Sequence, residues 1–231
     1  MSHEILQTAD GSFAMAYRAG DPLPWHAAET NPQTFEPGAS SHDVMNAARL
    51  DYDVQLVPNC FADGSPIPGS FHISRVDDPH MVYGRFVAGD WQPVQNSALV
   101  DLAAHIESEH NFQIITAGAL FGGSKGFVQL ETGDEFSLPG HDRLVSRLLS
   151  TVSHVGNESN KFAGCNTRTV CENTVQAALG EKAGLVCHDH RVEFDADAIT
   201  TAIGLNRESF GEFSRFAIAA ANRAVSDAEA L

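Results

Sequence analysis

The sequence predicts an α+β fold in which antiparallel hairpins pack with helices and a helical extension closes the chain. Three observations carry this. Hydrophobic period two begins abruptly at Asp51, in DYDVQLV, where Tyr52, Val54 and Leu56 alternate with polar residues. A 3.6-residue period governs NSALVDLAAHIESE, with Leu99, Leu102, Ala103 and Ile106 on one stripe. The elements run helix, strands, helix, strands, helix, rather than in the regular βαβ alternation of a parallel sheet.

Taken in order, residues 1–40 read as an N-terminal arm, because DPLPWHAAETNPQTFEPGASS is rich in Pro, Gly and small polar residues and lacks periodicity. SSHDVMNAARL then predicts a helix capped by Ser40 or Ser41, with Asp43 in its first turn. ADGSPIPGS predicts a hairpin turn that returns as FHISRV, and MVYGRFVAGDWQPVQN a strand or strand pair bent at Gly84 and Gly89. After the helix that begins near Asn96 come FQIITAGALFGG, KGFVQLE and RLVSRLLSTVSHV as strands. GGSKG is expected to be a hairpin tip with a mobile Lys125, and GNESNKFAGC a polar surface loop. These elements form a core domain over residues 41–190. Residues 191–231 are expected as a helical extension whose stripe of Phe210, Phe213, Ala217, Ala220, Ala221 and Ala224 suits docking on the core or contact with a second copy.

With 231 residues and 43% hydrophobic content, the chain can bury a sizeable core. It shows neither a membrane-length apolar run nor a signal-peptide pattern, and four cysteines without a leader suit free thiols in a reducing compartment, so a soluble cytoplasmic protein is expected. The formal net charge of −16 opposes non-specific attraction to phosphate backbones or anionic lipid. The charge is uneven, however. Residues 118–191 hold 7 of the 14 Lys and Arg, against 8 acids.

Two chemistries stay open on the residues alone. Cys165, Cys171, Cys187, His188 and His190 supply metal-ligand or nucleophile types, although the spacing of Cys165 and Cys171 is loose beside the tight pairs of structural zinc sites. No His-Glu-x-x-His pair or phosphate loop is present. The second set is electrostatic: Lys125, Arg143, Arg147, Lys161 and Arg168 as phosphate contacts, with Trp91 as a stacking platform or a lid on the core edge.

Several pieces together carry a family resemblance. MAYRAGDPLPWH (with Trp25 and His26), GDWQPVQNSALVDL (with Pro93, Gln95 and Asn96), ITAGALFGGSKGFVQLE (with Gly122 and Gly123) and NTRTVCENTVQAAL (with Cys171, Asn173 and Thr174) resemble, in this order, segments of the phage/plasmid-like family, a domain of unknown function. The chain departs from the family at Ala27-Ala28-Glu29, where a Gly-Leu-Gly is usual. The element order is also similar to that of single-strand annealing recombinases of the RecT/Erf kind. The resemblance implies a phage- or plasmid-encoded protein that forms homo-oligomers, binds single-stranded DNA in recombination, and uses no cofactor or bond-making chemistry. A metal- or cysteine-dependent enzyme and a host-takeover scaffold are the alternatives.

Overall fold

A computed structural model describes residues 5, 7, 13–23, 33–110, 112–137, 143–169, 171–181 and 183–201. It shows an α+β fold with two sheets. The stretch expected as an arm contributes β1 (Met15–Arg18) and β2 (Gln33–Phe35). Helix α1 (Ser41–Ala48) follows, and its N-cap Ser40 accepts a hydrogen bond from the Asp43 amide at 3.2 Å. The strands β3 (Val54–Cys60), β4 (Pro66–Arg75) and β5 (Val82–Val87) form a small antiparallel sheet in that order. After α2 (Asn96–Glu109) come β6 (Phe112–Leu120), β7 (Lys125–Ser137), β8 (Arg143–Ser153) and β9 (Asn160–Cys165), then α3 (Glu172–Gly180) and β10 (Ala183–His188).

The large sheet has seven strands in the order β10-β9-β8-β7-β6-β1-β2. Its pairs are antiparallel except β1 with β2, which run parallel. Strand alternation sorts its side chains onto two faces. Val128, Leu130, Leu148, Val152 and Phe162 meet Val44, Ala48, Leu99, Leu102, Ala103 and Ile106 of α1 and α2. Tyr17, Phe127, Leu149, Ala163 and Cys165 lie on the opposite face against Val175, Ala178 and Leu179 of α3. A bulge in β6 between Ile114 and Thr116 adds one residue, so Ile114 and Ala117 both join the α1/α2 side. Each fully buried Leu, Ile or Phe here contributes about 1.5–3 kcal/mol relative to exposure.

Two expectations are corrected. GNESNKFAGC is largely β9, because Asn160 and Lys161 find polar partners while Phe162, Ala163 and Cys165 are buried. The Lys125 side chain is 7% exposed and held in ion pairs instead of moving at a hairpin tip. The DADAITTAIG segment begins a helical turn at 196–201 whose Ile199 joins the α1/α2 core. The Phe- and Ala-rich stripe beyond it lies outside the described residues.

The small sheet has its own core of Tyr52, Val54, Ile73, Val87 and Trp91. It approaches the β8–β9 connection very closely. A methyl group at Gly156 would stand 2.0 Å from Val87 Cγ1, so only glycine fits between the two.

Candidate nucleic-acid interface

The basic residues of the middle third are brought together, but with acids. Lys125 opens β7 and Lys161 lies on β9, and both ammonium groups are 3.1 Å from the same Glu158 carboxylate oxygen. Lys125 is also 3.6 Å from Glu172. Burial by itself would raise the Glu158 pKa, yet the two lysines outweigh it and hold the carboxyl below its ordinary value. Arg147 pairs with Glu131 at 3.7 Å and donates to the Asn166 carbonyl. Arg168 donates to the Pro22 carbonyl at 2.6 Å, sits 3.9 Å from Asp21 and lies over the Tyr17 ring. Arg143 begins β8, and its side chain lies outside the described residues.

Of the expected phosphate contacts, Lys125, Lys161, Arg147 and Arg168 each have partners in their own chain. Trp91 is buried, with its ring stacked on His190 at a centroid distance of 4.4 Å, and both line a concavity of about 520 Å³.

The motif residues converge elsewhere, on the seam between the two sheets. The Gln95 amide accepts from the Val54 N–H at 2.8 Å and donates to the Val54 carbonyl at 2.9 Å, as a neighbouring strand would. Pro93 stands just before it, half-buried. Asn96, fully buried at the start of α2, donates to the Tyr52 carbonyl at 3.2 Å and accepts a hydrogen bond from His154 Nε2 at 3.0 Å. Phe121, Gly122 and Gly123 form a short 3-10 turn after β6. The Tyr52 hydroxyl donates to the Gly123 carbonyl and the Tyr83 hydroxyl to that of Gly122 at 3.1 Å.

Burial drives His154 down to about 3, so it is neutral, and its ring stacks on Tyr83 at 6.0 Å. Burial likewise raises the Tyr52 hydroxyl well above its usual range. The seam is a polar lock between sheets. Cys171 and Thr174 serve the entry to α3, where the Cys171 amide donates to Thr174 Oγ1 at 2.9 Å, while Asn173 is exposed. Trp25 and His26 lie outside the described residues.

The cysteine and histidine set does not converge. Cys165 is buried beside Gln129 Nε2 at 3.4 Å, and burial pushes its thiol up to about 12, far from a thiolate nucleophile. Cys171 is buried among apolar side chains, and Cys187 is exposed. Both ring nitrogens of His190 face backbone carbonyls, of Gln92 and Glu158, at 3.1 Å. His188 Nδ1 accepts from Asn160 at 3.2 Å, and its ring stands 6.5 Å from that of His190. Among the described residues, no three His, Cys, Asp or Glu side chains are placed to hold a metal ion.

Two polar concavities were missed in the sequence: one of about 520 Å³, lined by Asp90, Trp91, Glu158, Asp189, His190 and Arg191 among others, and one on the small sheet. Asn59, His72, His80, Val82 and Arg85 line a groove of about 410 Å³ on the small sheet. Asn59 Nδ2 donates to Ser70 Oγ at 2.9 Å and to the Arg85 carbonyl at 3.0 Å, which fixes the Asn59 oxygen toward His72 Nδ1 at 2.9 Å. That oxygen can only accept, so His72 carries its proton on Nδ1 and leaves Nε2 open to the groove. Arg85 is exposed and is the one described Lys or Arg side chain that makes no ion pair or hydrogen bond within the described chain. The available signal was period two: Ile73 and Gly84 point inward, which sends His72 and Arg85 outward.

The architecture is thus a two-sheet α+β protein with a polar lock at its seam and an open, cation-bearing groove on the smaller sheet. Residues 85–231 match the family model described as a domain of unknown function (DUF932), and the chain belongs to that family. No curated protein and no solved structure matches it. The matched span begins at Arg85, so most of the groove precedes it. Among the described residues, no helix is long and apolar enough to cross a membrane.

Proposed function

We propose that this is a phage- or plasmid-encoded DNA-metabolism protein that binds and anneals single-stranded DNA along the outer face of β3-β4-β5, without bond-making chemistry. The observation that carries the reading is Arg85, the unpaired cation in a groove whose other polar groups include His72 and His80. A net charge of −16 repels a polyanion at long range, so binding must rest on a local site of this kind. An exposed sheet face suits a single strand, because phosphate contacts and aromatic stacking tolerate any sequence. Annealing places more than one copy on a strand, and the reading therefore includes a homo-oligomer.

The test is fluorescence anisotropy with a labelled oligothymidine at low salt, alongside mass photometry with and without the strand. The full chain is expected to bind at micromolar concentration or below. The Arg85→Ala variant should bind more weakly, with the slope of log K against log salt reduced by about 0.7, the value of one single-strand phosphate contact. Absence of binding by the unaltered chain at micromolar protein overturns the proposal.

A further inference from the structure

The groove on the small sheet has no carboxylate among its lining residues, in a chain with 30 Asp and Glu. Its polar groups are Asn59 on β3, His72 on β4, Arg85 on β5, and His80 in the turn between β4 and β5. Ile73 pairs with Gly84, so His72 and Arg85 are the next positions along their strands, and both face outward. Asn59 ties the two together: Nδ2 donates to the Arg85 carbonyl at 3.0 Å, and Oδ1 accepts from His72 Nδ1 at 2.9 Å.

That second bond fixes which form of the ring can meet an anion. With its proton on Nδ1, neutral His72 offers the groove only the lone pair of Nε2, and a phosphate oxygen is itself an acceptor. Protonation adds an N–H at Nε2 and leaves the bond to Asn59 intact, so the imidazolium can donate without turning. The surroundings allow that charge to act outward. From β3, Val57 and Asn59 flank the ring, and both are neutral. From β5 comes the Arg85 guanidinium, and from the turn His80, whose amide takes up the Asp78 carboxylate at 3.1 Å. Arg75 and Asp77 pair with each other at 2.6 Å on the Tyr52 side of the sheet, where the guanidinium lies 4.1 Å from the Tyr52 ring centroid.

We infer that His72, as the imidazolium, is a second phosphate contact beside Arg85, so that strand binding in this groove tightens as pH falls through the histidine range. This rests on the single-strand reading above and adds to it a contact whose charge depends on pH.

Two measurements on the full-length chain test it. The first is oligothymidine anisotropy at fixed low ionic strength, from about pH 8 to about pH 5.5, which spans the ordinary histidine range. The unaltered protein should bind roughly ten-fold more tightly at the acid end, the gain of one charge-assisted hydrogen bond. Its slope of log K against log salt should steepen by about 0.7 over the same range, one further phosphate contact. His72→Gln should bind like the unaltered protein at the alkaline end and lose this gain. His105→Gln removes an exposed histidine from α2, which packs on the large sheet, and should keep the gain; it separates a local contact from the general loss of negative charge. The second measurement is nitrogen-resolved NMR of the histidine rings. Without ligand, neutral His72 should carry its proton on Nδ1, and saturating oligothymidine should raise its titration midpoint by about one pH unit, the linked counterpart of a ten-fold affinity gain. If the unaltered chain binds and His72→Gln keeps the acid gain, the His72 role is wrong while the Arg85 reading stands. If neutral His72 carries its proton on Nε2, the ring is oriented otherwise and the inference is overturned. If inorganic phosphate raises the midpoint as far as oligothymidine does, the site takes a free anion and the strand contact is overturned. If the unaltered chain binds no oligothymidine at either pH, both readings fall together.

Discussion

Replacing Asn96 with Ala should strike the seam between the two sheets harder than its one side chain suggests. Asn96 is fully buried, donating to the Tyr52 carbonyl at 3.2 Å and accepting from His154 Nε2 at 3.0 Å. Its truncation leaves two buried polar groups without partners, at about 1–3 kcal/mol each. A loss of about 3 kcal/mol lowers the melting temperature by roughly 6–12 °C for a chain of this size. The decisive form is a double-mutant cycle with His154→Phe, which keeps a ring beside Tyr83 and removes the N–H. In the double variant the imidazole donor no longer exists to be stranded. Its destabilisation should therefore fall short of the sum of the singles by about 1–2 kcal/mol in urea titrations. Additivity within about 0.5 kcal/mol would show that the hydrogen bond does not hold the seam, and would refute the reasoning.

The remaining predictions follow from the same geometry. His154 has a folded pKa of about 3 against an ordinary 6.5, so below 6.5 the unfolded chain takes up the proton first. Stability should fall as pH drops from about 6.5 to about 3, by of order 5 kcal/mol, and His154→Phe should remove this component from urea titrations across pH. Gly123→Ala puts a methyl group 2.6 Å from the Tyr83 hydroxyl oxygen at φ 92°, and should cost about 2–4 kcal/mol, read as a lower urea midpoint. Iodoacetamide on the folded protein at pH 8 should label exposed Cys60 and Cys187 and spare buried Cys165 and Cys171, as counted by peptide mass spectrometry. Rapid labelling of Cys165 would contradict its burial and its thiol shift to about 12.

The elements with strong period were legible from the chain. Ser40 and the apolar spacing behind it specify α1, and the alternation from Tyr52 specifies β3. The stripe at Leu99, Leu102, Ala103 and Ile106 likewise specifies α2. Strand β9 was illegible, because Asn160 and Lys161 read as loop residues until Ser153 and Glu158 stand across from them. Strands β1 and β2 were hidden by their brevity, since three or four residues carry no measurable period until β6 pairs with β1 and β1 with β2.

The site divides in the same way. Gln95, Asn96, Gly122 and Gly123 stood out as motif residues, but their meeting with Tyr52, Val54, Tyr83 and His154 depends on contacts between residues as far apart as Tyr52 and Gly123. Sequence alone determined the periodic elements, the acidic balance and the clustering of basic residues along the chain, because these are properties of near neighbours. Only the tertiary structure decided, among the described residues, which cations face internal carboxylates and that Arg85 does not. Charge pairing depends on distance through space, and the fold brings Glu158 and Glu172 to Lys125 while leaving Arg85 facing an open groove.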